Sequence, residues 1–179
     1  MALNLWKNFP SKIKRILTIL AFFLLSLLIT VAGTFTPLSY EEANDINHEL
    51  EKMRQNISAQ FIFGNNFMIS LIMFVPIIGP IFGSYALYNT GVVIAAESIG
   101  EGIHPLAVFL FLFIFPFTWL EFIAYSTAIA ESVWLTWRII KHKGKREIIN
   151  TCILISICAV MLLIAAIIEI VLITYFTQV

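Results

Sequence analysis

Lysine and arginine are absent from residues 61–137, although this stretch holds four glutamates. The chain's cationic residues lie on either side of it: Lys7, Lys12, Lys14, Arg15, Lys52, Arg54, Arg138, Lys141, Lys143, Lys145 and Arg146. Only 12% of the residues are charged, whereas a soluble domain has about 25%. The sequence therefore excludes an ordinary soluble domain. The zero formal net charge gives no reason to expect a nucleic-acid partner.

Cysteine is scarce, and no catalytic or metal-binding motif is present. Cys152 and Cys158 lie six positions apart in one apolar run, so on a helix they point in different directions and cannot form a disulfide without breaking it. We interpret them as small residues of a membrane helix. The sequence has no HExxH, no nucleophile–base arrangement and no phosphate-binding loop. We predict a protein that is not an enzyme and needs neither cofactor nor metal.

Long apolar runs are what the sequence has in excess. Of its residues, 60% are hydrophobic, and the mean hydropathy is +0.92. A helix needs about 20 apolar residues to cross a bilayer. The run at 103–137 is too long for one crossing, and Pro116 divides it because proline disfavours helix at the preceding residue. The predicted spans are 16–35, 67–88, 99–115, 117–137 and 151–175.

The positive-inside rule orients these spans. The basic N-terminus and the basic segment 138–146 should both be cytoplasmic, and the acidic segment 37–60 external. An odd number of crossings must then lie between residues 61 and 137, and we predict three. The expected fold is an all-α, multi-pass transmembrane bundle in the cell membrane, one domain over 1–179, with a cytoplasmic N-terminus and an external C-terminus. In the alternative, 106–115 is a re-entrant hairpin.

The segment 40–60 predicts an external amphipathic helix. Ser39 and Glu42 have the spacing of a capping box. One apolar stripe follows, formed by Ala43, Ile46, Leu50, Met53 and Ile57. This helix either lies over the membrane and the protein's own spans, or associates with a partner or a second copy.

Five glutamates fall in or near predicted spans, where a carboxylate costs about 2.5–3.5 kcal/mol to insert: Glu97, Glu101, Glu121, Glu131 and Glu169. Glu169 lies near the outer end of the last span and is expected to extend toward the outer surface. Glu121 and Glu131 lie in the fourth span, and Glu97 is placed near the inner end of the second span or the start of the third. Arg138, two turns along the same face, is the one candidate partner for Glu131. Glu121 must be protonated, hydrogen-bonded by polar residues such as Asn66 and Asn89, or paired with a cation or a partner's charge.

Glycine and proline mark contacts and breaks. Gly79 and Gly83 are four residues apart, the spacing of a close helix–helix approach, and Gly91 lies on the same run. Pro76 and Pro116 are the predicted helix breaks.

These features together resemble the stage II sporulation protein M family of bacteria and archaea. The resemblance covers about residues 65–132. It is carried by Asn65-Asn66, by Pro76, Gly79 and Gly83, by Asn89 with Gly91, and by Pro116 through Glu121 with the alanines that follow. It implies five spans with an external first loop and a membrane scaffold role. Phe117-Thr118 stands where the family has His-Gly, so no histidine-dependent role is carried over.

Two functional hypotheses follow. The first is a non-enzymatic membrane scaffold or complex subunit, whose partners are the bilayer and either a second copy or another membrane protein. The second is a small channel or transporter that uses the intramembrane carboxylates for a proton or a cation.

Overall fold

The computed structural model describes residues 11–54, 57–141 and 144–177, which form seven helices and no strand. The helices are α1 Ser11–Thr34, α2 Tyr40–Arg54, α3 Ala59–Met73, α4 Ile78–Glu101, α5 Pro105–Leu112, α6 Pro116–Ile140 and α7 Gly144–Thr177. The predicted all-helical fold is confirmed. Helix α2 is shorter than the predicted 40–60, since it ends at Arg54 and residues 55–56 lie outside the described part.

Three helices are long and apolar enough to cross a membrane, namely α1, α4 and α7. A fourth candidate is α5 together with α6, two helices that meet at 90°. Large apolar side chains such as Leu28, Ile81 and Leu110 are exposed along these helices, as expected of surfaces that face lipid. The chain is therefore a membrane-embedded helical protein.

The bundle has two chemically different ends. At one end, here called the basic end, α1 begins, α6 ends and α7 begins, and Arg15, Arg138 and Glu147 meet there. At the other, called the α2 end, α2 packs against the end of α4. The contact between α2 and α4 is specific, because Ala43 is buried and the Asn47 side chain donates a hydrogen bond to the Ala96 carbonyl at 3.0 Å. This supports the interpretation that α2 lies over the protein's own helices.

The predicted span 67–88 is wrong, because the chain reverses within it. Helix α3 runs from the α2 end toward the basic end, residues 74–77 make a turn, and α4 returns. Pro76 lies in this turn and supplies no backbone donor. Ser132 of α6 donates to the Val75 carbonyl at 2.6 Å, and the Ile77 amide donates to Thr136 at 3.0 Å. These bonds hold Ile77 at a φ of 68°, which is strained for a β-branched residue.

The predicted span 99–115 is also wrong. Helix α4 continues to Glu101 and ends at Gly102, whose φ of +66° is the left-handed conformation of a helix stop. Helix α5 has only eight residues, or about 12 Å of length, which is too short to cross a bilayer. Thr118 and Trp119 of α6 donate to the carbonyls of Leu112 and Phe113, at 2.8 and 2.9 Å. These hydrogen bonds satisfy carbonyl groups at the C-terminal end of α5, at the point where α6 begins with Pro116.

The capping box predicted at the start of α2 is present. The Glu42 carboxylate accepts hydrogen bonds from the Ser39 amide and hydroxyl, at 2.8 and 2.7 Å. These bonds favour the ionised form and lower the pKa of Glu42. A local sequence signal therefore fixed the start of this helix.

Helices α1 and α4 touch through glycine. A Cβ on Gly91 would lie 2.8 Å from the Cα of Gly33 and would also collide with the Thr30 carbonyl. On the same face of α1, Ser26, Thr30 and Thr34 are buried. Helices surrounded by lipid gain no hydrophobic free energy when they associate, so such close contacts supply much of the attraction between them. Gly79 and Gly83 make comparable contacts with Met73 and Ile129 inside the chain.

We predict that Gly91→Ala lowers the stability of the protein by about 1–3 kcal/mol, the usual cost of an added group in a packed core. Thermal unfolding of the purified protein in detergent measures this loss. Gly64→Ala is the matched control, because no atom lies within 4 Å of the added Cβ and alanine favours helix. Equal melting temperatures for the two variants would contradict the close α1–α4 contact.

Candidate functional site

Glu131 is compensated at the basic end by a residue from the start of the chain. Its side chain is 1% exposed. Arg15 of α1 lies 3.2 Å from the carboxylate, and the Thr151 hydroxyl donates to it at 2.6 Å. The predicted partner, Arg138, pairs instead with Glu147 of α7, at 3.4 Å. The sequence interpretation was wrong here because it considered only residues on the same helix.

Arg15 also contacts Glu147, so one guanidinium joins α1, α6 and α7. Trp134 lies beneath both Arg15 and Arg138, whose guanidinium carbons are 6.0 and 5.9 Å from the ring centre. This is the range of a cation–π contact. Arginine suits this role because its planar group offers several donors at once.

A cavity of about 400 Å³ lies beside this cluster, here called the basic-end cavity. Its lining residues are Lys12, Arg15, Ile16, Ile19, Trp134, Arg138, Glu147, Asn150 and Leu154.

Glu97 lies at the α2 end, on the same side of the bundle as the segment from which the predicted topology had separated it by a crossing. It forms an ion pair with Arg54, the last residue of α2. The prediction failed because it assumed a crossing at 99–115, which would have placed residue 97 on the opposite side. The end of α4 and the end of α2 therefore share one charged contact.

Glu121 lies in a different environment from the other two. Asn66 of α3 donates to its carboxylate at 2.6 Å, and the Asn65 amide lies 3.4 Å from the Asn66 oxygen. Within the described parts of the chain, no lysine or arginine forms an ion pair with Glu121. The carboxylate thus keeps a single amide partner, which leaves capacity for a proton or a cation.

Glu121 faces a partly open cavity of about 360 Å³ at the α2 end, here called the acidic cavity. Its polar lining is Arg54, Asn65, Asn66, Thr90, Glu121, Tyr125 and Glu169. Apolar residues of α2 and α3, including Leu50, Met53 and Ile69, complete the wall. Because Arg54 is already paired with Glu97, the two remaining carboxyls give the cavity an acidic character.

Helices α2, α3, α4, α6 and α7 all contribute to this cavity. Helix α3 brings Asn66 to Glu121, and α7 brings Glu169 to the same space.

Comparisons with protein-family models, curated proteins and solved structures find no match. The assignment of the site therefore rests on its geometry.

Of the residues proposed from sequence, the structure joins Glu121 and Asn66 in one contact. Glu131 and Glu97 lie elsewhere, and Asn89 is half-buried on α4 without lining the acidic cavity. No group of three or more His, Cys, Asp and Glu is placed to hold a metal within the ranges that the structure covers.

Two contributors were missed. Glu169 was expected to extend toward the outer surface, and it lines the acidic cavity instead. Arg15 was counted only as part of a basic flank. The available signal for Arg15 was its place at the edge of the first apolar run, where a long side chain can extend along the helix.

We predict that Arg15→Met destabilises the protein by about 3–5 kcal/mol, because removing one partner leaves a buried carboxylate uncompensated. The melting temperature of the purified protein in detergent reports this loss. Lys12→Met, an exposed cation one turn away, should change stability by no more than about 0.5 kcal/mol.

The double variant Arg15→Met/Glu131→Gln should recover part of the stability lost by Arg15→Met, since it also removes a buried charge. A double variant less stable than Arg15→Met alone would show that the contact between Arg15 and Glu131 is unimportant.

Proposed function

We propose that this protein is a small multi-pass carrier that binds a proton or a cation at Glu121 and moves it across the membrane. The observation that carries the proposal is the partly open cavity that reaches Glu121, a carboxylate with an amide partner and, among the described residues, no paired cation. An ionisable group inside a membrane protein and facing a cavity is a frequent mark of a proton or ion pathway.

The two cavities favour a carrier over an open channel. The acidic cavity lies at the α2 end and the basic-end cavity at the other, and no residue in the described part of the chain lines both. Between them, the α6 residues Ala128, Ile129 and Glu131 are buried. A path open from one side and interrupted before the other is what alternating access requires.

The proposal includes five crossings, made by α1, α3, α4, α6 and α7, with a cytoplasmic N-terminus and an external C-terminus. The cationic side chains Arg15, Arg138 and Lys141 at the basic end support a cytoplasmic position for that end. Helix α3 has only 15 residues, or about 22 Å, so this crossing is short. Helix α5 then lies at the external side.

Single cysteines in a variant without Cys152 and Cys158 test this topology. A membrane-impermeant maleimide added to intact cells should label His104→Cys and Asn44→Cys, because α2 and the start of α5 share one side. Lys141→Cys should be labelled only after the membrane is opened. Labelling of His104→Cys only in opened cells would restore the crossing at 99–115 and contradict the proposed arrangement.

Transport itself is measured in liposomes containing the purified protein, under an imposed proton or potassium gradient. Glu121→Gln should reduce flux to the level of empty vesicles, since the amide neither titrates nor binds a cation strongly. Glu101→Gln is the matched control, an exposed carboxyl near the α2 end that does not line the acidic cavity, and its flux should equal that of the unchanged protein. Equal flux from both variants, or none from the unchanged protein, would overturn the carrier proposal.

The scaffold hypothesis and the resemblance to stage II sporulation protein M stay predictions. Two features had suggested a partner surface, the α2 helix and the Gly79–Gly83 face. Both make contacts within the chain, α2 with α4 and the glycines with Met73 and Ile129. They therefore give less support to a scaffold than the cavity gives to a carrier.

A further inference from the structure

A second cavity adjoins the acidic cavity and shares its wall. It has a volume of about 510 Å³, and Arg54, Ile57 and Glu169 line both spaces. The remaining lining is apolar and mostly aromatic: Phe115, Phe117, Leu172, Ile173 and Phe176. We call it the aromatic cavity. It lies where the end of α2, the start of α6 and the end of α7 meet.

The two neighbouring cavities differ sharply in chemistry. The acidic cavity holds Glu121 and Glu169, while its one arginine is engaged by Glu97. The aromatic cavity is lined by phenylalanine rings and aliphatic groups beside Glu169 and Arg54. Aromatic faces attract organic cations as well as apolar groups. A proton or a metal cation would make use of the first cavity only.

We propose that the ligand of this site is an amphiphilic organic cation, whose charged group lies near Glu121 and Glu169 and whose apolar part fills the aromatic cavity. The inference rests on the proposed carrier function and names its substrate class. Charge complementarity selects a cation over an anion, and the shared wall formed by Arg54, Ile57 and Glu169 places both recognition surfaces within reach of one molecule. The apolar part would also explain why such a ligand partitions into the membrane beside the protein.

Equilibrium binding of radiolabelled tetraphenylphosphonium to the purified protein in non-ionic detergent tests the proposal. Saturable binding is expected, and Glu121→Gln should abolish it. Phe117→Ala should weaken binding by about threefold to tenfold, as expected for loss of one aromatic face. Radiolabelled tetraphenylborate, which has nearly the same shape and the opposite charge, is measured in separate samples and should show no saturable binding.

Two variants serve as controls. Phe111→Ala removes a phenylalanine of α5 that is 57% exposed and lines neither cavity, and Glu101→Gln removes an exposed carboxyl. Both should bind like the unchanged protein. A melting curve for every variant separates loss of binding from loss of folding, and if Glu121→Gln does not fold, Glu169→Gln replaces it with the same expected loss.

Each experimental outcome tests a different part of the proposal. Ion flux that depends on Glu121 without saturable tetraphenylphosphonium binding would overturn the substrate class and leave the carrier proposal intact. Equal binding by the unchanged protein, Glu121→Gln and Phe117→Ala would show partition into detergent, which overturns the inference. Saturable binding of tetraphenylborate would refute charge selection. Absence of flux from the unchanged protein would overturn the carrier proposal, on which the inference rests.

Discussion

The structure depends on the compensation of carboxyl groups that a helical membrane protein removes from water. An ionised side chain buried without a partner costs several kcal/mol, so each glutamate in the bundle needs a specific neighbour. Glu131 is held by Arg15 and Thr151, and Glu97 by Arg54. The two ion pairs join helices that are distant in sequence. The compensation of charge therefore also fixes which helix ends meet, at the basic end and at the α2 end.

Glu121 is the exception, and its position has a structural cause. Helix α3 has 15 residues and turns back at 74–77, while α2 covers the end of the bundle above it. The space between them is the acidic cavity, in which Asn66 is the one hydrogen-bond partner found for Glu121 among the described residues. The short helix α3 and the helix α2 thus form a space in which the Glu121 carboxyl can still bind a proton or a cation. The tight contacts of Gly33 with Gly91, and of Gly79 with Met73, keep the surrounding helices close enough to define it.

The two ends support different parts of the proposed mechanism. The α2 end offers a polar space joined to an aromatic one, and the basic end has three helices tied by Arg15. If the protein works as the proposed carrier, the basic end must open when the acidic cavity closes. The contact between Arg15, Glu131 and Glu147 must then break. The strained turn at Ile77, held by Ser132 and Thr136 of the same helix that carries Glu121, couples α6 to the α3–α4 pair. Movement of α6 would therefore act on both cavities.

The sequence by itself determined the local properties of the chain. Apolar run length indicated membrane helices, Ser39 and Glu42 fixed the start of α2, and Pro76 and Pro116 marked the positions where helices break. It also indicated that Glu121 had no cationic partner in its own segment of the chain. Only the tertiary structure decided that the chain reverses at Pro76, that α5 lies across the end of α6, and that Arg15 reaches Glu131 across 116 positions. Local signals follow from the conformational preferences of neighbouring residues, whereas a reversal or an ion pair depends on contacts between distant segments, which one sequence does not display.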